Sequence, residues 1–368
     1  MVAKKRSFYD FPTPALVLDS VIVRDNIQRL ADYATANGLK LRPHTKTHKM
    51  RAIAKMQLDA GAIGVTVAKV SEAEVISSPD LDVLVAYPPI GRSRAPRLAT
   101  LARDRTVRVA VDSMAAIEEM SAAAQASNAV VGLLVEIDVG MGRTGVSKSS
   151  ATLPLAIAIE RAPNVRLDGI MIYPGHIWES IDKQDEPLRA VDSLLEQTLE
   201  LWSRHGLAAA IVSGGSTPTA YQSHMVWHMT EIRPGTYIFN DMNTVRGGFC
   251  SLENCAARVI ATVISDAVAG QVVIDAGLKT LSTDLCIPAK DTGYGYIVEY
   301  PEAHITRLSE EHGQVDISGC DSRPVIGERI TVIPNHICPC VNLQESVWWE
   351  TPNEPLTQMH VDARGKIQ

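Results

Sequence analysis

The stretch Leu39 to Lys49 reads L-K-L-R-P-H-T-K-T-H-K and decides the fold. It begins as a strand and turns basic at once, with Arg42, His44, Lys46, His48 and Lys49 crowding one strand end. Like charges so close raise the cost of protonating each of them. A neutral lysine amine is what imine chemistry needs. Taken alone, the stretch reads as a solvated basic loop capping a strand, and its surroundings must decide.

Upstream, P-T-P-A-L-V-L-D (Pro12 to Asp19) is an extended entry followed by a strand. From Ser20 to Asn37, Val21, Ile22, Ile27, Leu30, Ala31 and Ala34 recur at helical spacing, and Gly38 ends the run. Downstream, short β-branched runs alternate with helical ones. The strand candidates are Leu39–His44, Gly64–Ala68, Val83–Tyr87, Val107–Asp112, Gly132–Asp138, Gly169–Tyr173, Ala210–Ser213 and Glu231–Arg233. Met50–Ala60, Ala95–Arg103, Ser113–Gln125, Leu153–Arg161 and Pro187–His205 read as helices between them. Strict alternation predicts a parallel sheet. Eight repeats in this length predict an α/β fold with a (β/α)8 TIM-type barrel closing near Pro234. An open doubly wound sheet is the alternative.

After Thr236 long helical patterns disappear. Arg258–Ile264, Gln271–Ile274, Tyr294–Glu299, Gly327–Ile333 and Met359–Ala363 read as strands. The expected organisation is a barrel over 20–240 and a mostly antiparallel β domain over 241–368, with the N-terminal segment 1–19 joining the β domain.

Composition narrows the function. The chain has 368 residues and a net charge of −7, which points away from nucleic acid and anionic membranes. No apolar run reaches membrane-spanning length. The start, M-V-A-K-K-R-S-F, lacks the apolar core of a signal peptide, so a cytoplasmic location is expected. All six cysteines lie in the last third, from Cys250 to Cys340, and in that setting read as reduced core residues or metal ligands.

In a barrel, the C-terminal strand ends form the active face. They carry P-H-T-K (Pro43 to Lys46), D-V-G-M-G-R (Asp138 to Arg143), Y-P-G-H (Tyr173 to His176), S-G-G-S-T (Ser213 to Thr217) and R-P-G-T-Y (Arg233 to Tyr237). Glycines with hydroxyls running into a helix start at Pro218 would make an anion site after the seventh strand. A lysine amine, a phosphate cradle and a barrel together point to pyridoxal phosphate. Gly140-Met141-Gly142-Arg143-Thr144-Gly145 matches G-x-G-x-x-G, yet the next strand ends in Ile172-Tyr173-Pro174 with no acidic residue for a ribose. Those glycines are expected to admit a bulky ligand, with Arg143 pointing into the site. In P-N-H-I-C-P-C (Pro334 to Cys340), His336 and Cys338 would share one face of a strand and could bind a metal, with zinc favoured.

These motifs, with T-P-A-L-V-L-D, T-E-I-R-P-G-T-Y-I-F-N-D and V-D-A-R-G, make nearly the whole chain resemble the D-threonine aldolase and D-serine dehydratase family of pyridoxal-phosphate enzymes, with their alanine-racemase-type barrel. The resemblance implies that Lys46 carries the cofactor, with Lys49 the lesser candidate. It implies that Arg143 and Tyr173 flank the ring, that Gly214, Gly215, Ser216 and Thr217 anchor the phosphate, and that Tyr237 lies nearby. It makes His336 and Cys338 the pair for a divalent metal, zinc or manganese. The implied reaction is cleavage of a small β-hydroxy-D-amino acid to glycine and an aldehyde, with His176 or metal-bound hydroxide as base. The alternative is elimination from D-serine or 3-hydroxy-D-aspartate to a keto acid and ammonia. The P-N-H-x-x-P frame and V-D-A-R-G resemble the aldolases, whereas Cys338 resembles the dehydratases. A racemase or a non-catalytic cofactor carrier would share the barrel, and racemases of this type suggest a homodimer.

Overall fold

The structure, a computed structural model, describes residues 11–368. The basic start read above lies outside them. Strand β1 (Ala15–Asp19) leads into helix α1 (Ser20–Ala36). Asp19 caps that helix, its carboxylate accepting the Val21 and Ile22 amides at 3.0 and 3.2 Å. The helix buries Val23, Ile27, Leu30, Ala31 and Ala34 along one stripe and ends at Gly38, whose φ is +68°.

Eight parallel strands follow: β2 (Lys40–Leu41), β3 (Val65–Val67), β4 (Asp82–Val85), β5 (Thr106–Val111), β6 (Val131–Ile137), β7 (Val165–Ile172), β8 (Ile211–Gly214) and β9 (Glu231–Ile232). They pair in the order β3-β4-β5-β6-β7-β8-β9-β2. The sheet closes on itself, because Ile63 N donates to Leu41 O, Thr66 N to Pro43 O and Thr45 N to Thr66 O, all within 2.8–2.9 Å. Closure decides for the barrel over the open sheet. Around it run α2 (Arg51–Asp59), α3 (Val70–Ile76), α4 (Arg94–Leu101), α5 (Met114–Ala126), α6 (Ser149–Arg161) and α7 (Asp185–Arg204). Inside, Leu84, Ala110, Leu134 and Met171 form an apolar plug. Beneath it, at the strand starts, Arg42 bridges Glu231 at 2.9 Å and Asp82 at 2.6 Å, and Arg108 pairs with Asp82 and Asp168.

The chain then passes through α8 (Met242–Arg246) into a second sheet made of β10 (Ala257–Ser265), β11 (Gln271–Ile274), β12 (Tyr296–Ile297), β13 (His304–Leu308), β14 (Gly313–Asp316), β15 (Arg329–Ile333), β16 (Ser346–Glu350) and β17 (Thr357–His360). Between them lie α9 (Leu278–Leu281) and α10 (Ile337–Leu343). β1 sits inside this sheet, antiparallel to β10 and parallel to β16, and every other pairing is antiparallel. Among the described residues no helix is long and apolar enough to cross a membrane.

Several local expectations need correction. The first barrel strand is two residues long, with one further bridge at His44, because Pro43 has no N–H to donate and residues 45–48 form a turn. The expected helix at Pro218 is a 3-10 segment, Ala220–Met225. His336 and Cys338 lie on no strand: His336 is the N-cap of α10 and Cys338 sits in its first turn. The closing strand ends at His360, short of Ala363.

Candidate active site

The barrel's C-terminal face opens into a cavity of about 450 Å³. His44, Lys46, Lys69, Tyr87, Arg143, Tyr173, Ser216, Thr217, Arg233 and Thr236 are among its lining residues. Lys46 reaches it from the turn after His44, where Thr45 O accepts the His48 and Lys49 amides at 3.1 and 2.7 Å. Its Nζ lies 5.7 Å from the centre of the Tyr173 ring. The Arg143 guanidinium lies over the same ring at 4.8 Å. Tyr173 thus holds the amine and the guanidinium beside one aromatic surface.

The five basic residues from Arg42 to Lys49 do not crowd one end. Arg42 turns into the barrel base, and His48 is buried against Gln57 at 3.2 Å. Lys49, at φ +56°, points away, its Nζ 3.4 and 3.5 Å from the carbonyls of Ala363 and Lys366. Ala363 N returns a bond to Lys49 O at 2.9 Å, so the chain's last residues clasp the turn that carries Lys46. His44 stays at the cavity, and its Nδ1 accepts the Lys46 amide at 3.3 Å. Burial, reinforced by Lys46, Arg233, His48 and Arg143, drives its pKa well down, so the ring is neutral.

Gly140, Gly142 and Gly145 all have positive φ. The anion at this nest is the chain's own: Asp138 accepts the Gly140 amide at 3.1 Å and the Gly142 amide at 3.0 Å. A Cβ on Gly140 would meet the His176 ring at 2.7 Å, and one on Gly145 would meet backbone from 136 to 138. Gly140 and Gly145 therefore make room for the protein itself, against the expectation that they admit a ligand. His176 is exposed and does not line the cavity.

In the loop after β8, Thr217 Oγ1 accepts the Tyr237 amide at 3.2 Å, which leaves its own proton to give to a ligand. Ser216 Oγ lies 3.0 Å from Thr219 Oγ1. Gly214 and Gly215 lie tight against neighbours, Gly214 against Met229 and Ile172 and Gly215 against Ile232. The Tyr237 ring is buried away from the cavity, and its hydroxyl accepts from Gln57 Nε2 at 2.9 Å. Arg233 is buried, donates to Ile172 O at 2.5 Å and has an Nε with no partner. An amine, free hydroxyl protons and an unsatisfied guanidinium around a carboxylate-free cavity fit a cofactor that brings a carbonyl and a phosphate.

Beside this cavity lies the second donor set. Cys338 Sγ is 3.2 Å from Thr47 Oγ1 and 3.7 Å from Thr236 Oγ1. His336 Nδ1 meets Asp284 Oδ2 at 2.6 Å, which orients the imidazole as carboxylates orient metal-binding histidines. Burial works against charge on both groups, but each sustains the other. The Cys338 thiolate, with Asp241 and Asp284, holds His336 up at about 10, and His336 with Lys46 holds Cys338 below the usual thiol value. Imidazole and thiolate together suit a zinc-type ion. No group of three His, Cys, Asp or Glu side chains gathers among the described residues, so water or substrate would complete the coordination. All six cysteines are free thiols.

Sequence reading gave Arg233 a place at a strand end but no role, and missed Lys69 and Asp284: Lys69 was marked only by its place at a helix start, and nothing local marked Asp284.

The chain matches the model of the "Alanine racemase, N-terminal domain" family over residues 18–243 and that of the "Putative serine dehydratase domain" over 256–349. It is 31% identical to the 3-hydroxy-D-aspartate aldolase of Paracoccus denitrificans (strain Pd 1222), over 97% of this chain and 93% of the relative. The crystal structure of D-threonine aldolase from Filomicrobium marinum superposes with a TM-score of 0.88 at 31% identity, covering 98% of this chain and 97% of that one. D-threo-3-hydroxyaspartate dehydratase from Delftia sp. HT23 follows at 0.86 and 28%, covering 95% and 97%. Alanine variants of that dehydratase at a histidine and at a cysteine two positions later superpose as well, the cysteine variant in a metal-free form.

Proposed function

This chain belongs to the alanine racemase N-terminal domain family, and on that footing we propose a pyridoxal-phosphate-dependent lyase that cleaves a β-hydroxy-D-amino acid to glycine and an aldehyde. One juxtaposition supports it most: Thr47, next to Lys46, and Thr236, on the cavity wall, both touch Cys338 Sγ. An amine-bearing turn and a metal-type donor pair thus share one wall, as cleavage beside a hydroxyl-bearing carbon requires. In this reading residues 20–240 bind the cofactor and 241–368 supply the metal pair.

When bound, pyridoxal phosphate supplies the sink for the electron pair left on Cα. A divalent ion supplies Lewis acidity toward the β-hydroxyl oxygen. Lys46 would hold the cofactor through its amine, and Ser216 and Thr217 would donate to its phosphate. Arg143, stacked on Tyr173 beside Lys46, orients the substrate's α-carboxylate. Neutral His44 braces the lysine turn through the Lys46 amide. Of the candidate bases for the hydroxyl proton, the Lys46 amine lies in the cavity, whereas the His176 imidazole lies outside its lining.

Dehydration is the second reading, and Cys338 favours it, since a dehydratase in its metal-free form is a cysteine variant. One assay separates the two. Purified protein with cofactor and zinc or manganese is given D-threonine and D-serine. Glycine with aldehyde supports the aldolase. Keto acid and ammonia as the sole products from every β-hydroxy-D-amino acid tried would replace it with the dehydratase.

A further inference from the structure

The cavity has four basic side chains, Lys46, Lys69, Arg143 and Arg233, and no carboxylate among the described residues lining it. Three have evident tasks. The Lys46 amine is used by the cofactor. Arg143 shares the Tyr173 ring with it, where a carboxylate on the amine-bearing carbon would lie. Arg233 is buried in the wall and donates to Ile172 O. Lys69 remains.

Lys69 stands where the ends of β3 and β4 meet. Its Nζ lies 3.5 Å from the centre of the Tyr87 ring, and Arg94 covers the same ring at 5.5 Å. No described carboxylate forms an ion pair with it. Its place in the chain is also unfavourable for a lysine. It is the N-cap of α3, with no side-chain capping bond. Such positions favour Ser, Thr, Asp or Asn, and a cation there opposes the helix dipole. A residue that breaks its local rule at the edge of a site is explained by the site.

We propose that Lys69 receives a second carboxylate, so that the substrate class is acidic: a β-hydroxy-D-amino acid whose Cβ carries a carboxylate. A neutral substrate would leave Lys69 with the Tyr87 ring as its contact and no carboxylate. The Tyr87 ring holds the ammonium at the cavity edge, and a single flexible point charge suits a carboxylate whose angle of approach is not fixed by a second bond. The proposal rests on the lyase reading above.

The test uses holoenzyme and two ligands that differ in charge but hardly in shape, D-aspartate and D-asparagine. Neither has a β-hydroxyl to cleave. Binding is followed by the visible absorption of the cofactor. D-Aspartate is expected to bind at least tenfold tighter, and Lys69→Met should shrink that ratio to within threefold, with Lys69→Arg keeping most of it. In turnover, the ratio of kcat/KM for 3-hydroxy-D-aspartate to that for D-threonine should fall at least tenfold in Lys69→Met, with the loss in KM. Equal binding of the two ligands to the unaltered enzyme would overturn the proposal. So would a Lys69→Met variant that weakens both ligands alike and loses cofactor, which would assign Lys69 to the phosphate. If D-threonine is cleaved without any preference for acid, this inference alone falls. If neither substrate gives product, the lyase reading falls and this one with it.

Discussion

Mild acid should weaken this protein through His48. The imidazole lies in a fixed chain: Nδ1 accepts the Met50 amide at 3.0 Å, Nε2 faces Gln57 Oε1 at 3.2 Å, and Gln57 donates to the Tyr237 hydroxyl. Nδ1 is an acceptor here, so a second proton on the ring would break the Met50 bond. Burial pushes His48 from 6.5 down to about 3, and the bonds to Gln57 and Met50 only partly offset it. The sign follows from which state takes up the proton. Between about 6.5 and 3 the unfolded chain protonates this histidine and the folded chain does not, so stability is complete above that window and falls as pH drops through it. At pH 5 the difference, RT ln(1 + 10^1.5), is about 2 kcal/mol. His44 is also depressed by burial and adds in the same direction. His48→Asn keeps an acceptor for Met50 and a donor for Gln57 but does not titrate. Urea unfolding of both proteins at pH 7 and pH 5 isolates the effect, with the unsubstituted protein expected to lose about 2 kcal/mol more than the variant. Identical losses would show that His48 protonates freely in the folded state and would refute the reasoning.

Three further outcomes are expected. Lys46→Ala should lose the cofactor's visible absorption and all lyase turnover, whereas Lys49→Ala should keep the absorption and lose roughly 1–2 kcal/mol of stability from its bonds to Ala363 and Lys366; a yellow, active Lys46→Ala protein would contradict this. Arg42→Met leaves Glu231 buried without its cation, and chemical unfolding should register a loss of roughly 3–5 kcal/mol. Cys338→Ala should lower bound metal and turnover together, as should a chelator on the unaltered protein, with metal analysis beside the product assay as the check.

The barrel was legible because strands buried on both faces read as unbroken apolar runs between helical patterns. The β13–β14 hairpin was not, since H-I-T-R-L and G-Q-V-D are short and largely polar. Charge counting along Leu39–Lys49 named the right stretch but misjudged its geometry. A turn at Thr45 and a left-handed Lys49 send neighbouring cations to opposite places. His336 and Cys338 were paired on the wrong element, yet an N-cap and the first turn of its helix also bring two side chains together. The glycine motif could have been read better: the aspartate two residues before its first glycine is the anion that fills it. Lys69 had only one signal, a lysine where a capping residue belongs, and that signal requires knowing where α3 starts.

The clasp on Lys49 has a consequence in time. Lys49 and Ala363 are 314 residues apart. At a synthesis rate of about 5–20 residues per second, about 15–60 s separate their emergence from the ribosome. Through that interval the lysine turn exists without its brace, and β1 lacks both of its partner strands for much of it. Cofactor capture is thus a test of completeness. A chain cut short before residue 363 would carry every barrel residue of the site and still present Lys46 on an unbraced turn.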